Sequence, residues 1–230
     1  MTDPIDFSRW IPIFPLPNVV LMPRAVLPLH VFEQRYRAMT RDALADARLI
    51  AVALLKPGYE PRYDTLDVEI HREVCVGRIL REEQLPDGRF NFLLQGLTRA
   101  RVIRENTELE YRRGILKIIH PVPASPQVEC SRRDELRKIL REPPLLELAT
   151  RANWLELFNC PDFTLSDVVD CLASVALPTS EDKQRFLAEP CVAARATCIC
   201  NTLRIIGTSL QRRAQHAAHP RTWPPTLCNN

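Results

Sequence analysis

The stretch that decides the fold is IPIFPLPNVVLMPRAVLPLH, residues 11–30. Its prolines exclude a helix interior and interrupt any long central strand, because proline fixes φ and has no backbone N–H. Short extended pieces joined by turns remain, and Ile11, Ile13, Val19 and Leu21 are predicted to point inward. The sequence therefore predicts a compact β structure for this part of the chain.

The spacing of apolar residues changes beyond this stretch. Phe32, Tyr36, Met39 and Ala43 recur at helical spacing, which predicts a helix over 30–47. This single helix would lie inside a region that otherwise has the patterns of strands.

The clearest hairpin signal is Asp87-Gly88, flanked by runs in which apolar and polar residues alternate. An uninterrupted apolar run before it fits a strand buried on both faces. The strands predicted after the helix are 49–55, 74–85, 90–94, 99–104 and 113–120.

The strand pattern stops at a proline-rich stretch, and helical patterns follow it. We predict an α+β chain with a β domain over 1–120, a linker over 121–129, a helical bundle over 130–213 and a flexible tail over 214–230. Val192, Ala196, Ile199, Leu203 and Ile206 predict an apolar stripe on the last helix. The predicted helices are 130–142, 144–159, 165–176, 180–188 and 191–213.

Composition and charge indicate an ordinary globular protein. The formal net charge of +3 points to no particular partner class. The chain has no apolar run of the roughly 18 residues that a membrane-spanning helix needs. Its first six residues include two acids and no basic residue, unlike a signal peptide. We predict a cytoplasmic protein without a membrane partner.

The eight cysteines show no zinc-knuckle spacing. Cys198 and Cys200 would lie about 200° apart on a helix and could not chelate one ion together. Cys191 and Cys198 share a helical face, as buried apolar residues would. Structural free thiols are predicted, and a metal or redox site is the alternative.

Three segments, 13–37, 76–100 and 181–187, resemble the N-terminal, substrate-recognition domain of Lon proteases. The likeness is carried by IFPL and LPLHVFEQRYR in the first segment, LPDGRF and GLTRA in the second and EDKQRFL in the third. The resemblance implies a PUA-like β pseudobarrel with one inserted helix, followed by a C-terminal helical bundle. It also implies a role in gripping proteins or peptides. Arg24 departs from the pattern, because the family often has glycine there.

Signals for catalysis are missing from the sequence. Full Lon proteases add an ATPase domain and a protease domain with a Ser-Lys pair, whereas this chain has no Gly-x-x-x-x-Gly-Lys-Ser/Thr motif and no Gly-x-Ser-x-Gly elbow. We therefore expect a stand-alone relative that is not an enzyme, with no catalytic residues, no cofactor and no metal.

The predicted function is a non-catalytic protein- or peptide-binding module, either an adaptor or a chaperone-like factor. Its expected partner is an unfolded or flexible polypeptide or another protein, and the sequence does not indicate an oligomeric state. The cleft between the β domain and the helices is a second candidate surface. Apolar side chains on the proline-rich loops are the first candidates, with core packing as their alternative: Phe14, Leu16, Met22, Arg24 and Leu27.

RNA binding by the PUA-like barrel is the alternative function. Five arginines could form a basic face, although acidic residues lie among them and solvated strand faces are the favoured explanation. These residues are Arg99, Arg101, Arg104, Arg112 and Arg113.

Overall fold

Six strands and six α-helices are present in residues 6–218, the part of the chain that the computed structural model describes. The strands are β1 (Ile11–Leu16), β2 (Val26–Val31), β3 (Leu49–Leu54), β4 (Glu73–Gln84), β5 (Phe90–Asn106) and β6 (Arg112–Ile118). The helices are α1 (Gln34–Ala45), α2 (Pro126–Leu140), α3 (Pro143–Arg151), α4 (Leu165–Ala176), α5 (Ser180–Ala188) and α6 (Val192–Ala218). Two 3-10 helices are formed by Glu60–Arg62 and Trp154–Phe158.

The long strand β5 closes the sheet into a ring. One edge of β5 pairs with β4, and the other pairs first with β2 through Phe90–Gln95 and then with β6 through Ala100–Asn106. The ring therefore runs β5-β4-β3-β1-β6 and returns to β5, with β1 and β3 parallel and the other neighbours antiparallel. Strand β2 lies outside the ring, and β5 is its one strand neighbour in the described part of the chain.

The architecture confirms the predicted α+β class. A pseudobarrel-like ring carries one inserted helix, α1, and is followed by the helices α2 to α6. No helix within residues 6–218 has the length and apolarity that crossing a membrane requires.

Two clusters of buried apolar residues hold these elements together. One fills the inside of the ring and includes Ile13, Val76 and Leu116. The other begins on the opposite face of the sheet, around Met22, and continues without a break to Leu203 on α6. This second cluster therefore joins strands and helices in one core. Burial of apolar surface stabilises such a core by roughly 25 cal/mol per Å².

The predicted helix 30–47 begins later than its apolar spacing indicated. Residues 26–31 form β2, in which His30 pairs with Asn91, and α1 begins at Gln34. Pairing with β5 overrides the local helical period, because alternate pairs add backbone hydrogen bonds and Leu27, Leu29 and Val31 turn toward the core. Phe32 is 62% exposed instead of packing with the helix, whereas Tyr36, Met39 and Ala43 are buried as predicted.

Local capping explains two differences in the helical part. Helix α2 starts at Pro126 rather than 130, because the Ser125 hydroxyl accepts a hydrogen bond from the Val128 N–H and proline suits the first helical turn. The predicted linker 121–129 is therefore helical from residue 126. The predicted helix 144–159 is interrupted at Asn153, whose φ of 55° ends the regular helix.

The last helix runs further than predicted. It reaches Ala218, so the first five residues of the predicted tail, 214–218, are helical, and residues 219–230 lie outside the described part. The apolar stripe is confirmed, with Val192, Ala196, Ile199 and Leu203 buried.

A buried ion cluster joins the ring to the helices. Asp170 on α4 receives two hydrogen bonds of 2.6 Å from the Arg99 guanidinium on β5 and another from Arg195 on α6. Arg99 also donates to the backbone oxygen of Leu187 at 3.0 Å. Side chains thus fill the expected cleft between the β domain and the helices at this point.

Candidate functional site

Strand β2 starts at a bulge built by Arg24. The N–H of Arg24 donates to the Gly96 oxygen at 2.8 Å, and the N–H of Gly96 donates to the Ala25 oxygen at 2.8 Å. Arg24 and Ala25 thus both oppose Gly96, which defines a β-bulge, and Arg24 has a φ of 67°. Gly96 is required here, because a Cβ at this position would lie 2.1 Å from the Met22 oxygen.

The bulge determines which backbone groups of β2 are free. Hydrogen-bonded and non-hydrogen-bonded pairs alternate along an antiparallel ladder, so the bond from Gly96 to Ala25 fixes the pairs that follow. The backbone groups of Val26, Pro28 and His30 then point away from β5, and those of the intervening residues point toward it. Pro28 fits this arrangement, because an N–H at its position would point away from β5 and make no hydrogen bond within the sheet.

A groove of about 700 Å³ lies on the outer face of β2, β5 and β4. Pro28 and Leu93 are cross-strand partners on its floor, and Leu93 pairs with Arg81 on its other side. Residues from all three strands line it: Pro28, Leu29, His30, Arg81, Glu82, Glu83, Asn91, Phe92 and Leu93.

Large apolar side chains on or next to the strands that line the groove are exposed to solvent. Val26 is on β2. Leu80 lies on β4 at the register shift next to the pair of Arg81 and Leu93. Phe32 stacks on the His30 ring with the centroids 6.2 Å apart. Exposed apolar side chains gathered beside a groove are typical of binding surfaces.

A chain of polar contacts forms the rim. His30 Nδ1 lies 2.7 Å from Asn91 Oδ1, and Asn91 Nδ2 donates to Glu83 at 3.2 Å. Arg48 donates to the carboxylate of Glu82, and this hydrogen bond lowers the pKa of Glu82. The rim therefore carries both charge signs and is anchored by contacts within the protein.

None of the five predicted peptide-binding residues is among those that line this groove. Phe14 and Met22 lie in the core, with the Phe14 ring 4.5 Å from that of Tyr36, so neither is accessible to a partner. Leu16 packs partly against the same core. Leu27 lies on β2 with its side chain turned toward the core.

Arg24 is exposed but engaged elsewhere. Its Nε donates to Asp167 at 2.8 Å, and its guanidinium lies over the Phe163 ring. The residues that the prediction missed are His30, Phe32, Asn91 and Leu93. The signal for His30 was the alternation of residues 26–31, which the prolines and the helical spacing of Phe32 concealed. Asn91 and Leu93 lie in the predicted strand 90–94.

The five arginines of the alternative hypothesis do not form one open face. Arg99 and Arg112 are buried. Arg101 pairs with Glu73 at 2.9 Å and Arg113 with Glu108 at 3.7 Å, and Arg104 lies over an aromatic ring.

A second groove, of about 760 Å³, lies among α4, α5 and α6. Leu177, Phe186, Ile206 and Leu210 contribute its apolar lining. No described strand borders it, so it offers side chains but no open sheet edge.

The seven cysteines in the described part are free thiols, and Cys228 lies outside that part. Burial raises the pKa of Cys75 to about 12 and that of Cys200 to about 11. Cys198 was expected on a buried face but is exposed, because the buried stripe of α6 passes through Cys200 instead. Among the described residues, no three His, Cys, Asp or Glu side chains form a metal-binding group.

The fold and surface together define an α+β domain with a pseudobarrel-like ring of strands and a groove beside an open strand edge. Solved structures share this fold. The N-terminal domain of the Mycobacterium avium complex Lon protease matches with a TM-score of 0.64 and 14% identity, over 85% of this chain and 98% of that one. A Lon N-terminal domain protein from Xanthomonas campestris matches with a TM-score of 0.56 and 23% identity, over 81% of this chain and 94% of that one.

The family model of the ATP-dependent protease La (LON) substrate-binding domain matches residues 10–204, so the chain belongs to the Lon substrate-binding domain family. Lon protease 2 of Myxococcus xanthus is 28% identical over 204 residues, which cover 86% of this chain. Lon protease of Xanthomonas oryzae is 32% identical over 93 residues, which cover 40% of this chain and 11% of the relative. The chain spans about a quarter of the length of its Myxococcus relative.

Proposed function

We propose that this chain is a non-catalytic module that recognises unfolded or flexible polypeptides in the cytoplasm, acting as an adaptor or chaperone-like factor. Membership of a substrate-binding family supports the binding of protein substrates. The observation that carries the proposal is the groove on β2, β5 and β4, with exposed apolar side chains beside an unpaired strand edge. These features suit an extended chain with apolar anchors.

The free energy available from burying the exposed apolar side chains indicates moderate affinity. Full burial of one large apolar side chain contributes about 1.5–3 kcal/mol. Phe32, Leu80 and Leu93 could each supply part of that, against the cost of ordering a flexible partner. Binding in the micromolar range, about −8 kcal/mol, is the expected result.

Fluorescence anisotropy with a labelled, reduced and carboxymethylated protein provides the test. We expect saturable binding without ATP and little binding of the same protein in its folded, disulfide-intact form. Absence of binding at high micromolar concentration would contradict the proposal. An RNA oligonucleotide that binds instead, and dissociates steeply with rising salt, would favour the alternative function.

A matched pair of variants locates the surface. Leu93 on β5 is 38% exposed and Leu146 on α3 is 40% exposed, so replacing either with serine removes a comparable apolar side chain. We expect Leu93→Ser to weaken binding at least fivefold and Leu146→Ser to leave it unchanged. Equal effects of the two substitutions would show that binding does not use this groove.

A further inference from the structure

We infer that the free edge of β2 binds a partner by strand addition, so that an extended segment of the bound polypeptide continues the sheet formed by β4, β5 and β2. This inference rests on the proposed function and specifies how the polypeptide is held. The backbone would supply affinity, and the groove would supply preference for side chains.

The edge presents a defined set of unpaired backbone groups. Val26 and His30 each offer an N–H and a C=O, whereas Pro28 between them offers a C=O alone. Within residues 6–218, no backbone group outside the sheet and no side chain makes a hydrogen bond to these atoms. Five unpaired groups in a row match the spacing of one extended chain.

Pro28 favours a foreign segment over a second copy of this protein. In the twofold antiparallel pairing of β2 with itself that overlaps most, Val26 faces His30 and Pro28 faces Pro28. Two carbonyls would then meet without a donor between them, and an unsatisfied polar group costs about 1–3 kcal/mol when it is buried. A foreign segment that places an N–H opposite Pro28 satisfies the Pro28 carbonyl, so only one carbonyl, its own, is left without a donor instead of two.

The surroundings specify the side chains of that segment. Side chains alternate between faces, so every second residue of an added strand would lie on the outer face, beside Val26, Pro28 and His30. The groove floor at Leu93 and the exposed ring of Phe32 continue this face. The expected ligand therefore has apolar residues at alternate positions and no proline opposite Pro28.

Backbone N-methylation of a bound peptide tests the inference without changing any side chain. A peptide of about nine residues that wild-type protein binds is made in two forms, each N-methylated at alternate residues and offset by one position. Strand addition predicts that one form binds at least tenfold more weakly, because its edge-facing amides are blocked, and that the other binds within about threefold of the parent. Equal affinity of the two forms would overturn strand addition. Failure to find any unmodified peptide that binds would instead count against the proposed function itself.

Variants of the edge provide the complementary test. Val26→Pro removes one edge donor, whereas Val26→Ala keeps the N–H and shortens the side chain. We expect V26P to bind the parent peptide at least fivefold more weakly than V26A, with circular dichroism confirming the fold of both. Equal binding by two folded variants would overturn the inference, and the N-methylated peptides decide it if V26P does not fold. Sedimentation showing a dimer that V26P abolishes but that the bound peptide leaves intact would assign the edge to a second copy and overturn the inference as well.

Discussion

Arg24 combines an unfavourable backbone conformation with favourable contacts of its side chain. Its φ of 67° lies in the left-handed region, which costs a residue with a Cβ about 1–2 kcal/mol. The conformation is retained because the Gly96 bulge requires it and because the guanidinium reaches Asp167 and Phe163. The sequence marked this position as a departure from the resembled pattern, but the side-chain partners of Arg24, Asp167 and Phe163, are far away along the chain and give no local signal.

Two substitutions separate these contributions. Arg24→Ala keeps the strained φ and loses the side-chain contacts, whereas Arg24→Gly loses the contacts and relieves the strain. We expect R24A to lower the free energy of unfolding by about 1–2 kcal/mol and R24G to remain about 1 kcal/mol more stable than R24A. Urea unfolding of both variants measures the difference. A less stable R24G would show that the left-handed conformation carries no strain.

The element that the sequence described least well is the pair of β2 and α1. Helical spacing of Phe32 and Tyr36 suggested a helix from residue 30, and prolines obscured the alternation of residues 26–31. The structure assigns this segment to a strand because β5 is long enough to pair with two different strands along one edge. That length follows from the closure of the ring, which no local pattern encodes. The hairpin of β4 and β5 was predictable, because its Asp-Gly turn and alternation are local.

Gly96 is the residue on which the start of β2 depends. A Cβ there would clash with the backbone oxygen of Met22, which cannot move as a flexible side chain would. We expect Gly96→Ala to lower the free energy of unfolding by about 2 kcal/mol or more. The measurement is the urea midpoint, with the slope compared to wild type.

Gly207 is the matched control for that substitution. It lies within α6, where a Cβ would meet Leu145 at an ordinary contact distance of 3.4 Å. Because alanine is the better helix former, Gly207→Ala should be neutral or stabilise by up to about 1 kcal/mol. A similar loss of unfolding free energy in both variants would show that the close approach of the Met22 oxygen to Gly96 does not cause the destabilisation.

At the scale of the whole molecule, the ring and the helices act as one unit. Their shared core and the Arg99, Asp170 and Arg195 cluster explain why the expected cleft between them is closed at that point. The α+β class and the order of strands before helices were predictable from apolar periods and from the resemblance. The ion cluster was not, because Arg99 lies in a predicted strand and Asp170 in a predicted helix, and no local pattern pairs residues 71 positions apart.

The cluster has a testable role in stability. Asp170→Ala would leave two buried arginines without their carboxylate, and breaking a buried pair in this way costs about 3–5 kcal/mol. The exposed pair of Glu147 and Arg151 provides the control, because Glu147→Ala should cost at most about 0.5 kcal/mol. Chemical denaturation of both variants gives the comparison. A loss below 1 kcal/mol in D170A would mean that the cluster is not a main link between ring and helices.

The central claim is that polypeptide binding uses the edge and outer face of β2. Hydrogen–deuterium exchange of the protein, with and without a saturating unfolded polypeptide, tests it most directly. We expect exchange to slow at least tenfold for backbone amides in 26–31, with smaller changes in 90–95 and none in the groove among α4, α5 and α6. Protection confined to that helical groove, with β2 unchanged, would contradict the claim.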